Sequence, residues 1–236
     1  MSPRRSAMDR IPELIDAAAL VFAEKGYRAT QMTDVAAAMG VAAGSLYNYV
    51  DSKDGLFALC LERMLQAGSP PPVTLPFAAP ALDVTLARLH DRVQELLLVP
   101  ALDARAAGPP SPATAGHDLE AVVTELFDMF SGTRLALDMI EQSARDLPAL
   151  AAMFRDQWRA PLLARIEDFL GARVDRGELR PPGDLRVAAR FVVETVVWFA
   201  RHRFHDRDGR GLDAAATKAT VTGLVVSSLA LGRPAR

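Results

Sequence analysis

Apolar residues in the first quarter of the chain recur every three or four positions, the period of a helix with one buried face. Ile11, Leu14, Ile15, Ala18 and Phe22 fall on such a face; Pro12 is tolerated in a first turn, and Gly26 is placed to end the helix in a left-handed conformation. A second helix is predicted over about 31–39, with Val35, Ala36 and Met39 on one side, and Gly40 supplies a sharp turn after it. A third runs over about 42–50. Asp51 or Ser52 caps a fourth, whose Leu56, Phe57, Leu59, Cys60, Met64 and Leu65 form a broad apolar stripe ending at Gly68.

Two Pro-rich stretches, about 69–80 and 100–116, read as loops around an amphipathic segment at 82–99. Helical patterning then returns over about 118–131, 133–146, 148–175, 184–204 and 212–231, with Pro161 expected to kink or divide the third of these. The β-branched runs Val192–Val197 and Val225–Val226 invite a strand reading, but their length and their flanking alanines and arginines favour helix. The predicted fold class is all-α.

Composition narrows the setting. Half of the 236 residues are hydrophobic and 24% are charged, which excludes disorder throughout and leaves apolar material for a substantial core. The single cysteine, Cys60, can make neither an internal disulfide nor a cysteine-based zinc cluster, which fits a cytoplasmic location. Asp9, Glu13 and Asp16 interrupt any signal-peptide core after Arg4 and Arg5, and the apolar run 191–200 is too short, and carries Glu194, so no membrane span is expected. The net charge of −2 argues against a nucleic-acid binder of the strongly basic kind, and residues 1–65 alone carry seven basic against eight acidic side chains.

The spacing of helix two, Gly40 and helix three is nevertheless that of a helix-turn-helix, with Ala36, Val41 and Leu46 plugging the angle and helix three presented to a DNA major groove. The run Phe22-Ala23-Glu24-Lys25-Gly26-Tyr27-Arg28-Ala29-Thr30, then Asp34-Val35-Ala36, Gly40-Val41, Gly44-Ser45-Leu46-Tyr47-Asn48-Tyr49-Val50, Ser52-Lys53 and Leu56-Phe57, resembles the DNA-binding domain of the TetR family of transcriptional regulators. The resemblance implies a DNA-binding domain over 8–52, and over 53–232 a helical domain that binds a small-molecule effector and forms a homodimer through the last two helices. It further implies a double-stranded operator as partner and no resident cofactor.

Residue by residue, the resemblance places Thr30, Tyr47, Tyr49 and Lys53 where family members touch phosphates, and a hydroxyl or ammonium beside a helix N-terminus suits an anion. On this reading, Lys53→Ala should weaken DNA binding and flatten its salt dependence. Gln31 stands where a threonine or serine often sits, so that Thr30 or Thr33 is expected to take over the cap. Ala42 and Ala43 open helix three without polar reach and can meet only a thymine methyl; Ser45 and Asn48 are the polar base readers, and Gly44 allows close backbone approach. Arg4, Arg5 and Arg10 form either a groove-seeking arm or a solvated tail.

For the larger domain, the candidate effector contacts are Phe127, Phe130, Met139, Gln142, Phe154, Trp158, Phe191, Glu194 and Trp198, each open to the alternative that it is core. Glu194 needs a partner, either Arg190 one turn earlier or a cationic ligand group. The dimer face is read from Val192, Val196 and Phe199 with Val221, Leu224, Val225, Ser228 and Leu229, the alternative being burial within one monomer. His202, His205 and Asp206 suggest a metal, which the surrounding Arg201, Arg203 and Arg207 disfavour, so no metal site is assigned. No catalytic signature stands out, and an enzyme is not expected. The rival is a helical small-molecule carrier without DNA function.

Overall fold

Helices occupy almost every segment in which the three-four apolar pattern predicts them. The structure is a computed structural model and describes residues 8–64, 73–103 and 112–231. Arg4, Arg5, the end of the fourth predicted helix (65–68) and residues 69–72 and 104–111 of the two Pro-rich stretches lie outside them. The helices are α1 (Ile11–Ala29), α2 (Met32–Met39), α3 (Lys53–Met64), α4 (Leu82–Leu96), α5 (Pro100–Asp103), α6 (Pro112–Gly132), α7 (Arg134–Ala144), α8 (Pro148–Ala152), α9 (Ala160–Asp175), α10 (Leu185–Ala200) and α11 (Ala214–Leu229). The third predicted helix is a tighter 3-10 segment, Ala43–Asn48. Among the described residues β-pairing is limited to two isolated bridges, Val50 with Phe77 and Leu179 with Ala230.

The stretch 100–116 corrects a loop expectation at both ends, since Pro100 opens α5 and Pro112 opens α6. A proline in a first helical turn gives up only an N–H that has no partner there. Pro161 does mark a division. Met153–Arg159 between α8 and α9 is a π-helical stretch. The carbonyl of Gln157, which a proline four residues on cannot serve, instead accepts from Gln94 Nε2 at 3.2 Å.

Contacts divide the chain into two compact units, one running through Glu95 and including Leu135–Gln157, the other formed by Leu96–Arg134 and the chain from Trp158 onward. The cut expected between 52 and 53 is not where contacts separate, because α3 completes the core under the helix-turn-helix. Leu14, Ala18, Phe22, Val35, Leu46, Leu56, Phe57 and Leu59 are buried together there, and the Phe22 and Phe57 rings meet edge to face at 5.1 Å. Full burial of a side chain such as Leu46 contributes about 1.5–3 kcal/mol.

The second unit packs α6, α9, α10 and α11 around Val122, Leu126, Ile166, Leu170, Val192, Val196, Val225 and Leu229. This corrects the dimer face read from the pattern: Val192, Val196, Val221, Val225 and Leu229 lie in the monomer's own core. The exposed large apolar residues of the two helices are Val187, Phe191, Trp198 and Leu224, with Leu224 65% exposed. A charged group also lies in this core. Arg173 on α9, its side chain 4% exposed, is 2.6 Å from Asp118 on α6 and 3.8 Å from buried Glu178, with its guanidinium 4.4 Å above the Phe169 ring.

Candidate nucleic-acid interface

The helix-turn-helix is built by local hydrogen bonds that the residue types dictate. Gln31 itself caps α2, with Asp34 reaching back to accept the Gln31 N–H at 2.9 Å. The expected substitutes are used otherwise: Thr30 is 1% exposed and its hydroxyl donates to the Gly26 carbonyl at 2.7 Å. A serine or threonine is thus not needed at position 31, because a carboxylate three residues on supplies the return half of a capping box. The side-chain bond from Lys25, then the Gln31 N–H, hold the Asp34 carboxyl below its ordinary range. At the other end of α2, Gly40 is left-handed at φ +67°, and the N–H groups of Gly40 and Val41 close onto Ala37 and Ala36 at 3.1 and 2.9 Å. This double closure aims the chain into Ala43–Asn48, which Leu46 anchors in the core at 0% exposure.

Lys53 is also placed differently from expectation. Its ammonium donates to the carbonyls of Tyr27, Arg28 and Thr30 at 3.0, 3.3 and 3.2 Å and lies 4.7 Å from the centre of the Tyr27 ring. All three N–H donors therefore have partners at the carbonyl-rich end of α1, where a cation is favoured. Tyr27 donates its hydroxyl to Asp54, beside Lys53, and burial followed by that bond raises the phenol well above its ordinary range. Lys53→Ala is accordingly expected to weaken operator binding by roughly tenfold through loss of this brace. The slope of affinity against salt should stay within about half a phosphate contact of the parent, and a slope shallower by a full contact would return Lys53 to the backbone-contact set.

Tyr49 is buried at 7% exposure and lies against Arg10, so its ring is chiefly core. Gln31, Ala42, Gly44, Tyr47 and Asn48 remain exposed, with Tyr47 at 52%, while Ala43 and Ser45 are half-buried. This surface carries no formal charge and presents hydroxyl and amide groups beside small residues. The Gln31–Asp34 pairing was readable from its i, i+3 spacing; the Tyr27–Asp54–Lys53 cluster joins residues 26 and 27 positions apart and has no local signal.

Residues 14–60 match the family described as bacterial regulatory proteins, tetR family. The chain is 28% identical to the HTH-type transcriptional repressor KstR2 of Rhodococcus jostii over 200 residues, 81% of this chain and 78% of the relative. The N-terminal segment is thus similar to the TetR family of transcriptional regulators. Two solved structures align along nearly the full length of the chain. The ketosteroid transcriptional regulator KstR2 of Mycobacterium tuberculosis aligns with a TM-score of 0.60 at 20% identity, covering 94% of this chain and 96% of its own. The regulator PfmR of Thermus thermophilus aligns with a TM-score of 0.55 at 21% identity, covering 93% and 99%.

The nine effector candidates divide between the two units. Met139, Gln142 and Phe154 belong to the unit that holds the helix-turn-helix, and the other six to the second unit. Phe127, Met139 and Trp158 are buried core, Phe130 and Phe154 are half-buried, and Phe191 and Trp198 are on the exposed side of α10. Gln142 donates to the Glu24 carbonyl at 3.4 Å. Glu194 is paired with Arg159 and lies 3.5 Å from Arg190, so two guanidiniums supply the partner it needs. Among the described residues no cluster of three or more His, Cys, Asp or Glu side chains is suited to a metal ion, and no helix is long and apolar enough to cross a membrane.

Proposed function

We propose that this protein is a TetR-family repressor that grips a pseudo-palindromic operator as a homodimer and is released by a small apolar effector. The observation that carries the DNA-binding part is the uncharged surface of Gln31, Ala42, Gly44, Tyr47 and Asn48, held by the Gly40 closure and the Leu46 anchor. Base readout falls to Asn48 and Ser45, with methyl contact from Ala42 and Ala43, close backbone approach at Gly44, and phosphate contact from Tyr47 and Gln31. Thr30, Tyr49 and Lys53 serve the same surface indirectly, by fixing the helices that carry it.

Two recognition segments about 34–36 Å apart are what a palindromic site requires. The stripe Val187, Phe191, Trp198 and Leu224 supports the dimer, since four large apolar side chains exposed on adjacent helices suit a partner surface. A groove of about 500 Å³ between α6 and α11 is lined in part by Ala215, Ala219, Gly223 and Ser227, small residues that admit close approach. The relative named as a ketosteroid regulator makes a steroid-derived molecule the first effector to assay.

Selecting DNA from a random pool with the purified protein tests the reading. The recovered sequences should form an inverted repeat, and Tyr47→Phe should bind them about 2–10-fold more weakly, the worth of one hydroxyl contact. With few cationic contacts, binding should fall only gently with salt. A protein that retards no DNA at low salt yet binds an apolar small molecule is the helical carrier instead.

A further inference from the structure

A regular helix joins each carbonyl to the N–H four residues later, which in α1 pairs Glu24 with Arg28. Gly26, left-handed at φ +79°, lies between them and interrupts the ladder. Both groups turn to the same distant segment. The Arg28 N–H donates to Asp146 Oδ2 at 2.8 Å, and the Glu24 carbonyl accepts from Gln142 Nε2 at 3.4 Å. Gln142 is in the last turn of α7 and Asp146 follows it, so one helix end takes up both halves of the broken bond. The approach is close: a Cβ on Gly26 would stand 3.1 Å from Asp146 Oδ2 and 3.3 Å from the Gln142 carbonyl. Gly26 is therefore required twice, for its backbone conformation and for the space that the α7 end occupies.

We propose that Asp146, assisted by Gln142, is a positioning residue for operator binding, holding the broken end of α1 from which the chain enters α2. It touches no DNA. Thr30, the Lys53 brace and the α2 cap all follow within a few residues of the held amide, so the place of Arg28 sets the entry of the helix-turn-helix. Because α7 lies outside the DNA-binding motif, a rotation or shift of its end is delivered directly to that entry. The inference rests on the regulator reading above.

The test uses the full chain, the selected operator and two variants. Asp146→Ala should speed exchange of the Arg28 amide about tenfold or more and weaken operator binding about tenfold, with an unchanged melting temperature. Asp146→Asn keeps an acceptor oxygen and should restore both within about threefold. That rescue separates a positioning bond from the general loss of a side chain. Operator binding by Asp146→Ala within about twofold of the parent, or an asparagine variant as weak as the alanine one, overturns the proposal. An Arg28 amide equally protected in the alanine variant refutes the latch and leaves the regulator reading standing, whereas a parent protein that binds no DNA overturns both.

Discussion

Leu224→Glu is expected to convert the proposed dimer into a monomer and to abolish tight operator binding. Leu224 is 65% exposed and Phe191 48% exposed, so a carboxylate at either position reaches solvent in the monomer and leaves its folding intact. In a two-fold symmetric interface each substitution is met twice. Burying two unpaired carboxylates at about 2 kcal/mol or more each raises the dimer dissociation constant roughly a thousandfold. Sedimentation velocity across a concentration series reads the shift, and retardation on a full inverted repeat against a single half-site reads its consequence. The variant should lose at least about a hundredfold on the full site and little on the half-site. Dimers of undiminished affinity in both Leu224→Glu and Phe191→Glu would put the interface elsewhere. Val196→Ala is the contrasting control: Val196 is 0% exposed, so its truncation should lower stability with little effect on the dimer constant.

The second large effect concerns folding. Arg173→Met should destabilise the protein by about 3–5 kcal/mol, since it removes a buried guanidinium that two buried carboxylates share. Asp118 is 8% and Glu178 4% exposed, and Arg176 stays within 3.1 Å of Glu178, so the greater loss falls on Asp118. At fixed protein concentration the melting temperature should drop by about 10 °C. Combining Arg173→Met with Asp118→Leu should recover part of that loss, because two apolar groups of similar volume replace the pair and no buried charge is stranded at that position. A double variant less stable than Arg173→Met would show that the pair itself, rather than the stranded charge, supplied the stability.

Much of the helical order was legible because its causes are local. Ile11, Leu14, Ile15, Ala18 and Phe22 share a face through backbone geometry alone, and Gly40 and Val41 close α2 through bonds to residues three and five positions back. The exposed candidates Gln31, Ala42, Gly44, Tyr47 and Asn48 followed from the motif for the same reason. Thr30, Tyr49 and Lys53 were legible as positions but not as roles. A hydroxyl or an ammonium near a helix end suits a phosphate and a backbone carbonyl alike, and only the fold put the Tyr27, Arg28 and Thr30 carbonyls within reach of Lys53.

By itself the sequence determined that the chain is helical, where most helices begin and end, and that a helix-turn-helix stands near its N-terminus. Tertiary structure alone decided which of two apolar faces each late helix keeps for itself. On α10, Val192 and Val196 compete with Val187, Phe191 and Trp198; on α11, Val221 and Val225 compete with Leu224. Periodicity cannot rank two such faces, because burial is set by the neighbours that arrive, here α6 and α9, from elsewhere in the chain. The same holds at Gly26. Its glycine was readable as a helix end, but that α7 would supply Asp146 to the amide freed there depends on a contact 118 residues away, which no local pattern encodes.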